Sequence, residues 1–227
     1  LEFRRVLFRS QFGFGATIDF DDVTHKGITN ISTDDVAVAQ ELGYVIKLVG
    51  DVREVESGIS AEVSPTFLPK NHPLASVNDV MNAVFVESIG IGESMYYGPG
   101  AGQKPTATSV LADIIRIARR LSDGNVGKPF NEFRRDLPLA NPADVKSNYY
   151  FALDTPDEKG KILHLSEIFN SEDISFEQVL QQKANGTTAR IVVITHAMSK
   201  TQLQAVTEKL EAAEDFTVVN TLKVLSN

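Results

Sequence analysis

The spacing of apolar residues changes repeatedly along the chain, and each change predicts an element. The run YVIKLVGDVREVESGISAEVSPTF is rich in β-branched residues and broken at Ser57-Gly58, which predicts strands from Tyr44 to Glu56 and Ile59 to Phe67 folded as an antiparallel hairpin. Ahead of it, Thr33 followed by Asp34 and Asp35 suits a helix start, because a hydroxyl can accept an orphan amide and carboxylates favour the positive end of the dipole; Gly43 supplies the stop. A second strand pair, Asn82 to Glu87 and Ser94 to Tyr97, is joined by a turn through Gly90 and Gly92. After glycines at 98, 100 and 102, Pro105 and Thr106 introduce a helix. Val110, Ile114, Ile117 and Leu121 form its apolar stripe, while Arg116, Arg119 and Arg120 read as a solvated face.

Residues 122–146 hold glycines, prolines and mixed charge without a sustained period and read as a linker. From Ser147 the pattern is compact. A strand runs to Asp154, a loop ends at Gly160, and a helix follows with Ile162, Leu165 and Phe169 inward. Next come a strand from Ile174 to Gln182, a turn at Asn185-Gly186 and the buried strand ARIVVIT. A helix carrying Leu203, Val206 and Leu210 and a strand from Phe216 to Leu225 complete a βαββαβ order, the pattern of a ferredoxin-like sandwich of two helices on four antiparallel strands. The fold class expected is therefore α+β.

Composition narrows the chemistry. The 227 residues carry no cysteine, which excludes a disulfide framework, a thiolate metal site and a cysteine nucleophile. A net charge of −8 opposes nonspecific attraction to nucleic acid or anionic lipid. Neither a long apolar span nor a secretion signal is evident, so a cytoplasmic protein without nucleic-acid or membrane partners is expected. The opening LEFRRVLFRS is basic and unpatterned; removing its three arginines and one glutamate takes the net charge from −8 to −10, and it reads as cloning or linker sequence. His25, His72, His164 and His196 are scattered and show no catalytic signature, and neither a GxSxG elbow nor a metal-binding spacing occurs. GPGAG at 98–102 permits close approach of backbone to a ligand ahead of a helix N-terminus, but it is not the dinucleotide fingerprint GxGxxG. No catalytic residue and no metal site is assigned from these residues alone.

The stretches VSPTFLPKNHPLASVNDVMNAVFVE at 63–87 and MYYGPGAGQKPTATSVLADI at 95–114 closely resemble the catalytic region of homoserine dehydrogenase, as do HKGITNI at 25–31 and LGYVIKL at 42–48. The family pattern GxGAGxxPTAxxVxxD is met by Gly98, Gly100, Ala101, Gly102, Pro105, Thr106, Ala107, Val110 and Asp113. Residues 11–121 are thus similar to the end of that catalytic and dimerisation region, and 147–227 resemble the ACT regulatory domain that many bacterial members append.

The resemblance implies interconversion of L-aspartate 4-semialdehyde and L-homoserine with NADP or NAD, on the route to threonine and methionine. The family's Rossmann domain, and the aspartate and lysine that handle substrate and proton, lie upstream of the segment matched by Gln11, so a C-terminal fragment lacking them and inactive alone is expected. Gly102 is similar to the glycine that touches the cofactor, with Gly100 and Thr106 beside it. The strands around Tyr44–Phe67 and Asn82–Tyr97 would pair between subunits of a homodimer or homotetramer. In the ACT-like part, Asp157 and Gly160 match the DxPG loop and Ile174 and Ser175 the start of the second strand, which makes them the expected effector-binding residues, with threonine the implied effector. Lys159 stands where the family has proline, and Lys161 where it has an apolar residue. The alternative is a stand-alone ACT-type amino-acid sensor that uses residues 11–121 as a dimerisation platform.

Overall fold

A computed structural model describes Ser10 and residues 13–125, 134–183 and 187–225. The expected Asn185-Gly186 turn and most of the opening ten residues lie outside the described residues. The first elements are β1 (Thr24–His25), α1 (Thr33–Glu41), β2 (Tyr44–Val55), β3 (Gly58–Pro69), β4 (Met81–Ser88), β5 (Gly92–Pro99) and α2 (Gln103–Ser122). Then come β6 (Lys146–Pro156), α3 (Lys161–Asn170), β7 (Phe176–Lys183), β8 (Thr188–Thr195), β9 (Met198–Ser199), α4 (Lys200–Ala212) and β10 (Thr217–Val224). Contacts divide the chain into two units, Leu1–Pro69 with Phe133–Asn227, and Lys70–Glu132.

In the first unit, α1 begins one residue earlier than expected. Ser32, not Thr33, is the cap: its hydroxyl accepts from the Asp35 amide at 3.0 Å, and the Asp35 carboxylate accepts from the Ser32 amide at 2.9 Å. Gly43, at φ +84°, follows the helix as expected. The β2–β3 hairpin is antiparallel from Tyr44↔Pro69 to Val55↔Gly58. Gly58 has φ +142°, and a Cβ there would lie 2.1 Å from the Pro138 carbonyl oxygen. That close approach lets Ile59 N–H donate to Pro138 O and Ala140 N–H to Ile59 O, both at 2.9 Å. The later part of the expected linker is therefore laid along β3 rather than hanging free.

The βαββαβ order from residue 146 closes as expected into strands ordered β10-β6-β8-β7, with β6 antiparallel to both neighbours and β7 antiparallel to β8. Tyr149, Phe151 and Leu153 point from β6 into one core with Leu165 and Phe169 of α3 and Val206 and Leu210 of α4. The expected two-layer sandwich needs correction. The alternate residues Tyr150 and Ala152 join Val192, Ile194 and Leu222 in a second core that Val38 and Ala39 of α1 cover. The sheet is thus buried on both faces, which the unbroken apolar run Tyr149–Leu153 already fits.

Nor does the sheet end at four strands. β10 pairs in parallel with β3 through Lys223↔Thr66 and Val224↔Phe67, so the hairpin and the module form one eight-stranded sheet. Buried ionic groups fasten this joint. Lys223 Nζ lies 2.6 Å from Asp51 and 3.2 Å from Glu62, and Lys200 Nζ at the start of α4 lies 2.8 Å from Glu62. Burial raises the Glu62 pKa, but Lys223 and Lys200 outweigh it and hold the carboxyl at about 2. On the other face, the Asp35 carboxylate accepts from Tyr150 Oη at 2.9 Å and Asn220 Nδ2 at 3.0 Å, tying α1 to β6 and β10.

In the second unit, β4 and β5 form a hairpin from Met81↔Pro99 to Ser88↔Gly92. His72 Nδ1 accepts the Leu74 amide at 3.2 Å and caps a short turn, a structural role. Helix α2 carries the expected stripe, yet none of its residues is buried. Val110, Leu111, Ile114, Ile117 and Leu121 are each more than half exposed.

Candidate functional site

Two loop-to-helix junctions hold the residues singled out above. The first joins β5 to α2. Gly102 is the helix cap at φ +123°, a conformation that side chains disfavour, and Thr106 N–H donates to its carbonyl at 3.0 Å. At Gly100 a Cβ would fall 1.9 Å from Asn82 Nδ2, so the loop packs tightly there. The Gly100 amide is already spent, donating to Val80 O at 3.1 Å, which leaves Gly100 a steric role rather than a donor role. No acidic residue occupies the first turn of α2. Gly102, Thr106, Ala107, Val110, Leu111 and Ile114 line an open depression of about 720 Å³. Of the three expected cofactor residues, Gly102 and Thr106 thus line this largely apolar depression, and Gly100 lies in the loop just ahead of it.

The second junction joins β6 to α3. Gly160 caps α3 in the left-handed region at φ +92°, and Asp157 N–H donates to Thr187 O at 2.9 Å. Lys161 does not project a free charge. Its ammonium lies 3.3 Å from Asp215 and 3.4 Å from Glu158, and His164 Nδ1 lies 3.0 Å from the same Asp215 oxygen. Burial raises the Asp215 pKa, but the bonds from His164 and Lys161 prevail and lower it; burial lowers the Lys161 pKa, but Asp215 and Glu158 together outweigh it and raise it. Sequence reasoning missed Asp215, because it lies 54 positions from Lys161 and no local pattern marks it.

Ile174 and Ser175 are not brought to this loop. Pro156 pairs with Thr188 at one end of the sheet, whereas Phe176 pairs with Thr195 at the other. Ile174 is buried in the helix-side core, just ahead of β7, which begins two residues later than expected, and Ser175 O accepts the His196 amide at 3.0 Å. Within one chain the four expected effector residues thus form two separate pairs. Among the described residues no group of three or more His, Asp or Glu could hold a metal, and no helix is long and apolar enough to cross a membrane.

A glycine-capped helix and a ferredoxin-like module built into a larger sheet define a mixed α+β chain. Comparison with known proteins makes that class specific. The homoserine dehydrogenase family model matches residues 3–115. The homoserine dehydrogenase of Lactococcus lactis is 58% identical over 218 residues, 96% of this chain and 51% of that protein. That of Bacillus subtilis is 33% identical over 93% of this chain and 49% of its own length. Among solved structures, a homoserine dehydrogenase from Thiobacillus denitrificans superposes with a TM-score of 0.91 at 29% identity, covering 99% of this chain and 52% of that one. The chain belongs to the homoserine dehydrogenase family, and it spans about half the length of the curated relatives it matches.

Proposed function

We propose that this chain serves homoserine dehydrogenase catalysis, the interconversion of L-aspartate 4-semialdehyde and L-homoserine with NADP or NAD in the cytoplasm. The observation that carries this reading is 58% identity to a homoserine dehydrogenase across nearly the whole chain, with the GPGAG loop at the α2 N-terminus. In this reading Gly102, Gly100 and Thr106 line the cofactor: Gly102 keeps a side chain out of its way, Gly100 lets the loop pack against Asn82, and the start of α2 faces its negative charge. Hydride transfer also needs a nicotinamide cradle and a proton source, which the family supplies upstream of the segment matched by Gln11. The test is NADPH oxidation on adding aspartate semialdehyde. The chain alone is expected to be silent, and the same chain joined in frame to the N-terminal half of the Lactococcus lactis relative is expected to turn over. A folded fusion without turnover would overturn the reading.

Residues 147–227 act in this proposal as an ACT-type regulatory module that takes an amino acid, threonine by family resemblance. Asp157 and Gly160 sit at one end of the sheet and Ile174 and Ser175 at the other, so a site using all four is built between two copies. That favours a homodimer or a homotetramer as the working form.

A further inference from the structure

Resting on the effector reading above, we propose that Thr155 contacts the ligand, its hydroxyl donating to the carboxylate of an amino acid held at the N-terminus of α3. Thr155 is 2% exposed, and its Oγ1 has no hydrogen-bond partner among the described residues. A buried hydroxyl without a partner destabilises a fold, so a valine of the same shape would serve the free chain better.

Its position decides what it can reach. Leu153 of β6 and Leu165 of α3 belong to one packed cluster. Thr155 faces the same side as Leu153, roughly 7 Å further along the strand, and Lys161 lies roughly 6 Å back along the helix from Leu165. Strand alternation therefore puts Thr155 on the α3 side of the sheet, toward the N-terminal end of that helix. There Gly160 offers no side-chain cap, no acidic residue occupies the first turn, and the amides of Lys161, Ile162 and Leu163 precede the first intrahelical bond, from His164 N–H to Gly160 O. The strand neighbour of Thr155 is Ala189, the smallest chiral side chain. The loop above, Pro156 to Gly160, is exposed throughout. A carboxylate entering under that loop meets helix amides on one side and the Thr155 hydroxyl on the other, while Lys161 stays paired with Asp215 and Glu158.

The experiment is calorimetry of L-threonine with the 227-residue chain and with its Thr155→Val and Thr155→Ser variants, beside thermal unfolding without ligand. Losing a hydrogen bond to a charged group weakens binding about tenfold or more, so Thr155→Val is expected to show that loss while its ligand-free Tm rises. Thr155→Ser keeps the hydroxyl and is expected to bind within about threefold of the parent. Threonine methyl ester, lacking the carboxylate, is expected to give no heat. Unchanged threonine affinity in Thr155→Val would overturn this inference and leave the effector reading standing. A parent chain that binds no threonine would overturn the effector reading and the inference with it. A lowered Tm in Thr155→Val would show that the hydroxyl already has a partner, and would overturn the inference alone.

Discussion

Glu62 is nearly enclosed between the ammonium groups of Lys223 and Lys200, and its carboxyl sits at about 2 against an ordinary 4.5. A depressed carboxyl stabilises the fold fully above its unfolded value and loses that contribution as pH falls through the folded one, here from about 4.5 to about 2. The contribution is on the order of 3 kcal/mol at neutral pH. Urea unfolding of the parent and of Glu62→Gln should differ by such an amount at pH 7, and the gap should shrink across that acid window; a gap independent of pH would contradict the assignment. Gly58 gives a second residue-level expectation. Alanine there meets both the positive φ and the Pro138 carbonyl, so Gly58→Ala should lower unfolding stability by about 2 kcal/mol or more, measured by denaturant midpoint. The need for glycine at 102 was legible from its place ahead of a helix. The partners of Lys161 and Glu62 were not, since ion pairs between distant strands leave no spacing in the sequence.

Elements with a strong period were read from the sequence almost to the residue. Both hairpins, the long helix and the βαββαβ order appear where alternation, helical stripes and turn residues put them. The partnership between elements was harder to see. Helix α1 has only a weak apolar face, yet Val38 and Ala39 close the core beneath Tyr150 and Ile194. The anchoring bond is testable: Tyr150→Phe removes a hydroxyl that donates to the buried Asp35 carboxylate and should cost about 1.5–3 kcal/mol in chemical denaturation. Helix α2 presents the reverse case, a clear stripe of which no residue is buried among the described residues. Ile114 is 56% exposed, so Ile114→Asn should shift stability by no more than about 0.5 kcal/mol, and a loss several times larger would mean the stripe is covered.

At the scale of the molecule, the chain-order division into a catalytic portion, a linker and a regulatory module is crossed by hydrogen bonds between β3 and β10 and by α1 lying on the module's sheet. Slow hydrogen exchange of amides in β3, β6 and β10 should therefore report one common opening free energy. Two well-separated values would argue for independent domains. The same joint governs how the chain is born. One side of β3 at Thr66 and Phe67 stays bare until Lys223 and Val224 have left the ribosome, more than 150 residues later. A nascent chain waits through the synthesis of everything between β3 and β10 with an apolar edge unpaired, the state in which chaperones bind and neighbouring polypeptides stick. A premature stop codon shortly before Thr217 would then yield an insoluble product rather than a smaller working one.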